Sequence, residues 1–189
     1  MCSGSGSAPE YAVPYAEAVN AFVERNGIRT IVDLGCGDFS VGRLLARPGV
    51  RYLGVDVVDE VVSRNRERFG SAEIEFVCLD ATADVLPEGD VCLLRQVLQH
   101  LSNAEILAVL ERTRRYRFVL VTEHLPPAGA SARPNVDKPH GADTRLVDGS
   151  GVFLEEEPFR RKIVEVLLDL PVRPPLRDPG ERLVTFRIL

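Results

Sequence analysis

The chain has 189 residues and a formal net charge of −5, which suits one domain (1–189) with a full core and lacks the basic surplus that gripping a phosphate backbone requires. With 45% apolar and 27% charged residues it has the composition of an ordinary soluble globule, so neither nucleic acid nor membrane is expected among its partners. Cys2, Cys36, Cys78 and Cys92 show no paired or metal-ligand spacing, the pattern of reduced thiols in a cytoplasmic protein without a metal site.

Residues 1–8 are rich in glycine and serine and read as a disordered lead-in. They have no basic end followed by an apolar run, as a secretion signal would. From Pro9 to Asn26, apolar residues at Val13, Ala16, Val19, Phe22 and Val23 ahead of Gly27 predict an amphipathic helix with a glycine stop. A strand at Ile31–Leu34 follows, then a helix from about Ser40 to Ala46, a strand at Tyr52–Asp56 and a helix from about Asp59 to Phe69. Strands at Ile74–Leu79 and Val91–Arg95 come next. Ser102 and Glu105 have the spacing of a capping box for a helix running to about Arg114, and Arg117–Glu123 is a fifth strand. Such alternation demands a parallel sheet with right-handed crossovers, whose ligands collect at the carboxyl ends of the strands. Lys162–Leu170 and Arg182–Leu189 are joined by a proline-rich stretch too short for a crossover helix, so they pair antiparallel. The segment 125–159 carries Pro, Gly, Asp and His without periodicity and is expected to be a lid or substrate segment over the site. No internal repeat is apparent.

The chemistry concentrates in Val32-Asp33-Leu34-Gly35-Cys36-Gly37-Asp38. Gly35 and Gly37 can adopt positive φ and carry no Cβ, so the turn leaves room for an adenosine-sized ligand against its backbone. Asp33 stands where a strand should still be apolar. A buried acid is costly unless it is hydrogen-bonded or paired, and a cationic ligand or loop amides would account for it. A dinucleotide fingerprint would also need glycine where Ser40 stands. Further acids end the next two strands: Asp56, followed by Val57 and Val58, and Asp80, followed by Ala81. Each acid alone also suits a helix N-cap. It is their order at the tips of successive strands that points to one nucleoside.

These residues, with the strand and following helix start at Asp90–Leu101 as a fourth motif, resemble the class I S-adenosylmethionine-dependent methyltransferases over roughly residues 30 to 101. The resemblance implies a Rossmann-like three-layer α/β sandwich with a mostly parallel seven-stranded sheet and an antiparallel C-terminal hairpin. It also implies S-adenosylmethionine as cofactor. Asp33, Gly35, Cys36 and Gly37 would then hold its amino-acid end and Asp56 the ribose hydroxyls. Asp80 and Ala81 would meet the adenine edge, Val57 the adenine face, and Gln96 the cofactor near sulfur. Many relatives carry Asp or Asn near Arg95 or Gln96, and this chain has neither, which counts against amine methylation by an Asn-Pro-Pro-type site. Arg95 is expected to point away, because a guanidinium repels a sulfonium.

The donor of such a transfer is already activated, so the protein chiefly aligns the nucleophile and excludes water. A small-molecule hydroxyl acceptor benefits from a general base. The two candidates are His124, at the carboxyl end of the fifth strand, and His140, in the 125–159 segment. Each also suits a structural role, at a strand end or in a solvated loop. Arg145 suits an acceptor carboxylate or phosphate. The alternatives are a nicotinamide-dependent (NAD) oxidoreductase and a non-catalytic S-adenosylmethionine-binding module. A homodimer is left open.

Overall fold

The computed structural model describes residues 5–127, 133–172 and 180–189. After a 3-10 turn at Ser5–Ser7, the order is α1 (Pro9–Asn26), β1 (Thr30–Leu34), β2 (Arg51–Asp56), α2 (Asp59–Phe69), β3 (Ile74–Cys78), β4 (Val91–Arg95), α3 (Asn103–Thr113), β5 (Phe118–Leu125), β6 (Ile163–Pro171) and β7 (Arg182–Ile188). The strands form one seven-stranded sheet in the order β3-β2-β1-β4-β5-β7-β6. Neighbours from β3 to β5 are parallel, and β7 runs antiparallel to both β5 and β6. The expected Rossmann-like architecture with its antiparallel terminal pair is therefore present. The linker between that pair, at residues 173–179, lies outside the described residues, as does the start of the lead-in expected to be disordered.

Alternation along the strands sorts two cores onto the two faces. Ile31, Tyr52, Val91 and Leu93 face α1 and α2, against Tyr15, Val19, Phe22 and Val62. Val32, Leu34, Cys92 and Leu94 face α3, against Ile106, Val109 and Leu110, joined by Val152, Leu154 and Phe159. Three layers result. The crevice lies at the carboxyl ends of β1 and β4, where chain order reverses across the sheet.

Local signals explain most element ends. Gly27 stops α1 in the left-handed region at φ 61°, its N–H closing onto Val23 and Glu24 carbonyls. At α3 the capping box is complete: the Ser102 hydroxyl accepts the Glu105 N–H at 3.3 Å, and Glu105 Oε2 accepts the Ser102 N–H at 2.8 Å. The helix expected from Ser40 to Ala46 is only a 3-10 turn, Gly42–Leu44. Pro48 disfavours helical geometry at Arg47, and Gly42 sits where a Cβ would come within 2.2 Å of the Tyr52 hydroxyl oxygen.

The described part of the 125–159 segment, much of it exposed, is tied down by two buried polar side chains. Arg145 is buried and donates to the carbonyls of Leu101, at 2.6 Å, and Val136. Buried Asn135 donates to the carbonyls of Phe153 and Glu157 at 2.9 and 2.8 Å. The reading of Arg145 as an acceptor contact is thereby corrected: its guanidinium is engaged in holding the segment together.

Candidate active site

Two adjoining cavities open at the carboxyl ends of the parallel strands, and Gly35 and His100 line both. The first, about 450 Å³, is bounded by Asp33, Gly37, Arg95, Gln96 and His124. The second, about 340 Å³, is bounded by Asp56, Val57, Asp80, Ala81 and His140. Cys36 lines the first with the glycines of its turn.

The turn between β1 and the 3-10 turn at Gly42–Leu44 needs glycine for two reasons. Gly35 has φ 74° and Gly37 φ 55°, and a Cβ on Gly35 would lie 2.4 Å from Val97 Cγ2. Both values fall where an L side chain is strained. The turn is braced from two sides: the Gly37 N–H donates to Asp56 Oδ2 at 3.0 Å, and Asn65 Nδ2 donates to the Gly37 carbonyl at 2.7 Å. Asp56 Oδ1 accepts the Val58 N–H at 3.1 Å. Asp80 Oδ1 accepts from the Thr82 N–H and hydroxyl at 2.8 and 2.7 Å, which is the local turn role open to any Asp, combined here with a place on the cavity wall.

Asp33 is 8% exposed. Tyr52 donates its hydroxyl to Asp33 Oδ2 at 2.5 Å. Burial nevertheless pushes the Asp33 carboxyl up to about 6, against the lowering influence of Tyr52 and Arg95. Such an acid is under-compensated, and a cation entering the first cavity would relieve it. Tyr52 was missed in the sequence. The signal was available, because an acid inside an apolar strand calls for a donor on a neighbouring strand, and Tyr52 lies two residues below the Asp33–Gly54 register pair on the same face.

Arg95 differs from expectation. Its residue lines the first cavity, its guanidinium carbon lies 4.9 Å from the Tyr15 ring centroid, and it donates to the Gly6 carbonyl. Stacking and that carbonyl hold the cation within reach of Asp33, where an anionic group could meet it. Gln96 has φ 56°, a left-handed backbone in a non-glycine residue at the end of β4, and its N–H donates to the Thr122 carbonyl at 2.7 Å.

The two histidines are not brought together. His124 lines the first cavity with its Nε2 2.8 Å from Glu181 Oε2, and both side chains are nearly buried. His140 lines the second cavity on the far side of Gly35, its Nδ1 2.8 Å from Glu105 Oε1. A base at His140 would sit beside Asp80 and Ala81 rather than beside Asp33. Glu105 is held at about 2, chiefly by the Ser102 hydroxyl and N–H, with His140 adding to it. His100 is tied to the covering segment through Nδ1 and the Gly141 carbonyl at 3.2 Å. Glu123, one residue before His124, is fully buried, and burial pushes its carboxyl up to about 8. Among the described residues, no group of three or more His, Cys, Asp or Glu is placed to hold a metal ion.

Residues 31–117 match the family model described as a methyltransferase domain. That stretch, a little under half of the chain, takes in the glycine turn and the acids Asp33, Asp56 and Asp80. Solved structures agree at the level of fold. TnmH is 24% identical with a TM-score of 0.61 over 95% of this chain and 56% of TnmH, so the chain spans just over half of that protein. The N-terminal domain of EvdMO1, solved in the presence of S-adenosylhomocysteine (SAH) and D-fucose, is 20% identical with a TM-score of 0.59 over 93% of this chain and 82% of its own. The N-methyltransferase NodS from Bradyrhizobium japonicum WM9, in complex with SAH, is 15% identical with a TM-score of 0.63, covering 95% of this chain and 88% of NodS. No curated protein sequence matches the chain.

The residues present fit S-adenosylmethionine as cofactor. The raised carboxyl of Asp33 calls for a cation such as the α-ammonium group, and the bare backbone of Gly35 lines both cavities beside it.

Proposed function

We propose that this protein transfers a methyl group from S-adenosylmethionine to a hydroxyl oxygen of a small-molecule acceptor, with His124 as general base and Glu181 orienting it. The observation that carries the reading is the position of His124. It lines the cavity that contains Asp33 and the glycine turn, and a carboxylate stands 2.8 Å from its ring.

In this reading Asp33 holds the cofactor ammonium group and Arg95 its carboxylate, Asp56 takes the ribose hydroxyls, and Asp80 with Ala81 meets the adenine edge. The bound cofactor supplies a methyl group on a sulfonium, a donor that needs no further activation. What the chain adds is alignment and proton transfer. As the acceptor oxygen takes the methyl carbon and the carbon–sulfur bond breaks to leave a neutral thioether, His124 would receive the hydroxyl proton and Glu181 would stabilise the resulting imidazolium. The absence of Asp or Asn at Arg95 and Gln96 favours oxygen over an amine. The covering segment, held by Arg145 and Asn135, supplies Ala142 and Thr144 to the first cavity and would shape the acceptor site. Among the described residues no helix is long and apolar enough to cross a membrane. Cys36, Cys78 and Cys92 are free thiols, which supports a cytoplasmic setting.

The test is product analysis with phenols, hydroxy acids, amines and thiols as acceptors. Methyl ethers or esters are expected, with His124→Gln lowering kcat about a hundredfold or more while SAH affinity is kept. N-methylated products, or full activity in His124→Gln, would refute the proposed chemistry.

A further inference from the structure

A third cavity, of about 250 Å³, opens between the 3-10 turn at Gly42–Leu44 and α2, and none of the roles assigned above uses it. Arg43 lines it from the turn, Arg64 and Arg68 line it from α2, and Ser40 lines both it and the first cavity. Among the described residues none of these three arginines has a carboxylate partner, whereas their neighbours in sequence Arg47 and Arg51 are paired with Glu24 and Glu75. Arg64 and Arg68 stand four residues apart on one helix face, an arrangement in which like charges repel. Arg68, in the last turn, also complements the helix dipole. In a chain with a net charge of −5, three guanidinium groups without a carboxylate partner among the described residues, one of them 5.3 Å from the Phe69 ring centroid, surround one hollow and suit an anion from outside.

The remaining wall sets the charge and chemistry of that anion. Asp38 also lines the hollow, its Oδ1 accepting the Ser40 N–H at 3.0 Å, so three cations against one carboxylate leave an excess of two positive charges. Fully buried Asn65 lines it too, with its Nδ2 on the Gly37 carbonyl and its Oδ1, among the described residues, without a hydrogen-bond partner. A buried carbonyl oxygen of this kind needs a donor, and the P–OH of a phosphoryl group or a bridging water supplies one. Guanidinium forks match phosphoryl oxygens in pairs.

We propose that this hollow is a binding site for a phosphoryl group, either inorganic phosphate or the phosphate of an organic monoester. The site is separate from the two cavities of the methyltransferase crevice, and its existence does not depend on the acceptor chemistry argued above.

Calorimetric titration of the full chain with inorganic phosphate and with phenyl phosphate, at low ionic strength, tests this. Saturable binding of one equivalent is expected, weakened at least tenfold in Arg64→Gln/Arg68→Gln and again in Arg43→Gln, which lies on a different element. Affinity for SAH, read on the same variants, checks that they remain folded. Phenyl phosphate binding much more tightly than phosphate identifies an organic monoester, with its ring against Phe69. Equal affinities identify free phosphate. Absence of saturable binding by either probe, or affinities unchanged in both variants, overturns the proposal.

Discussion

Asp33 offers the sharpest quantitative test, because its ionisation and cofactor binding must be linked. Burial raises its carboxyl from 3.8 to about 6 in the unliganded fold. An α-ammonium group can pair only with the ionised form. With a value near 6, the ionised fraction is about nine-tenths at pH 7 and about one-tenth at pH 5. Affinity for SAH should therefore fall about tenfold between those two values, or about 1.4 kcal/mol, and stay flat above pH 7. Asp33→Asn keeps the size and the Tyr52 contact but removes the charge. It should weaken binding at pH 7 by about 1.5–3 kcal/mol, the usual worth of a hydrogen bond to a charged group, and abolish the dependence on pH. The unliganded fold responds with the opposite sign. A carboxyl raised in the folded state binds more protons there than in the unfolded chain, so its contribution to stability declines as pH rises from about 4 through about 6. Asp33→Asn escapes that decline and should melt higher than the wild type at pH 8 without ligand, and lower in saturating SAH. Calorimetry across pH 5–8 and thermal melts with and without ligand read both effects. A wild-type affinity independent of pH, or an Asp33→Asn variant that still loses affinity in acid, would refute the reasoning.

Three further outcomes follow from the same geometry. Tyr52→Phe removes the donor 2.5 Å from Asp33, so the acid should ionise later and the pH edge of SAH binding should move upward by about one unit in the same titration. Glu123→Gln removes a buried carboxyl raised to about 8. Because the wild type loses stability as pH climbs from about 4.5 through about 8, the variant should gain on it progressively over that window, and a constant difference in melting temperature would count against the burial argument. Gly35→Ala places a methyl 2.4 Å from Val97 Cγ2 at φ 74°, so denaturant titration should show about 1–3 kcal/mol lost, and SAH affinity should drop at least tenfold.

The sheet was legible because its signals are local. Apolar runs ending at Leu34, Asp56 and Arg95 mark strand ends, and Gly27 and the Ser102–Glu105 pair mark helix ends. The three acids and the glycine turn could be placed for the same reason: in an alternating α/β chain, strand tips must share one edge of the sheet. What stayed hidden depends on contacts between distant residues. Glu181 reaches His124 only because β7 inserts antiparallel between β5 and β6. Arg145 reads as an exposed loop cation until Leu101 and Val136 carbonyls enclose it. Arg95 stays at the cavity because the Tyr15 ring and the Gly6 carbonyl, both distant in sequence, hold its side chain there. The Gly42–Leu44 turn that stands in place of the expected helix packs against Tyr52 of β2, again a contact that the local sequence does not signal.

The most direct measurement is calorimetric titration of the wild type and Asp56→Ala with SAH and with NAD. The account predicts that the wild type binds SAH and not NAD, and that Asp56→Ala binds SAH about 1–3 kcal/mol more weakly through lost charge-assisted hydrogen bonds to the ribose. Binding of NAD in place of SAH, or an Asp56→Ala affinity equal to that of the wild type, would contradict it.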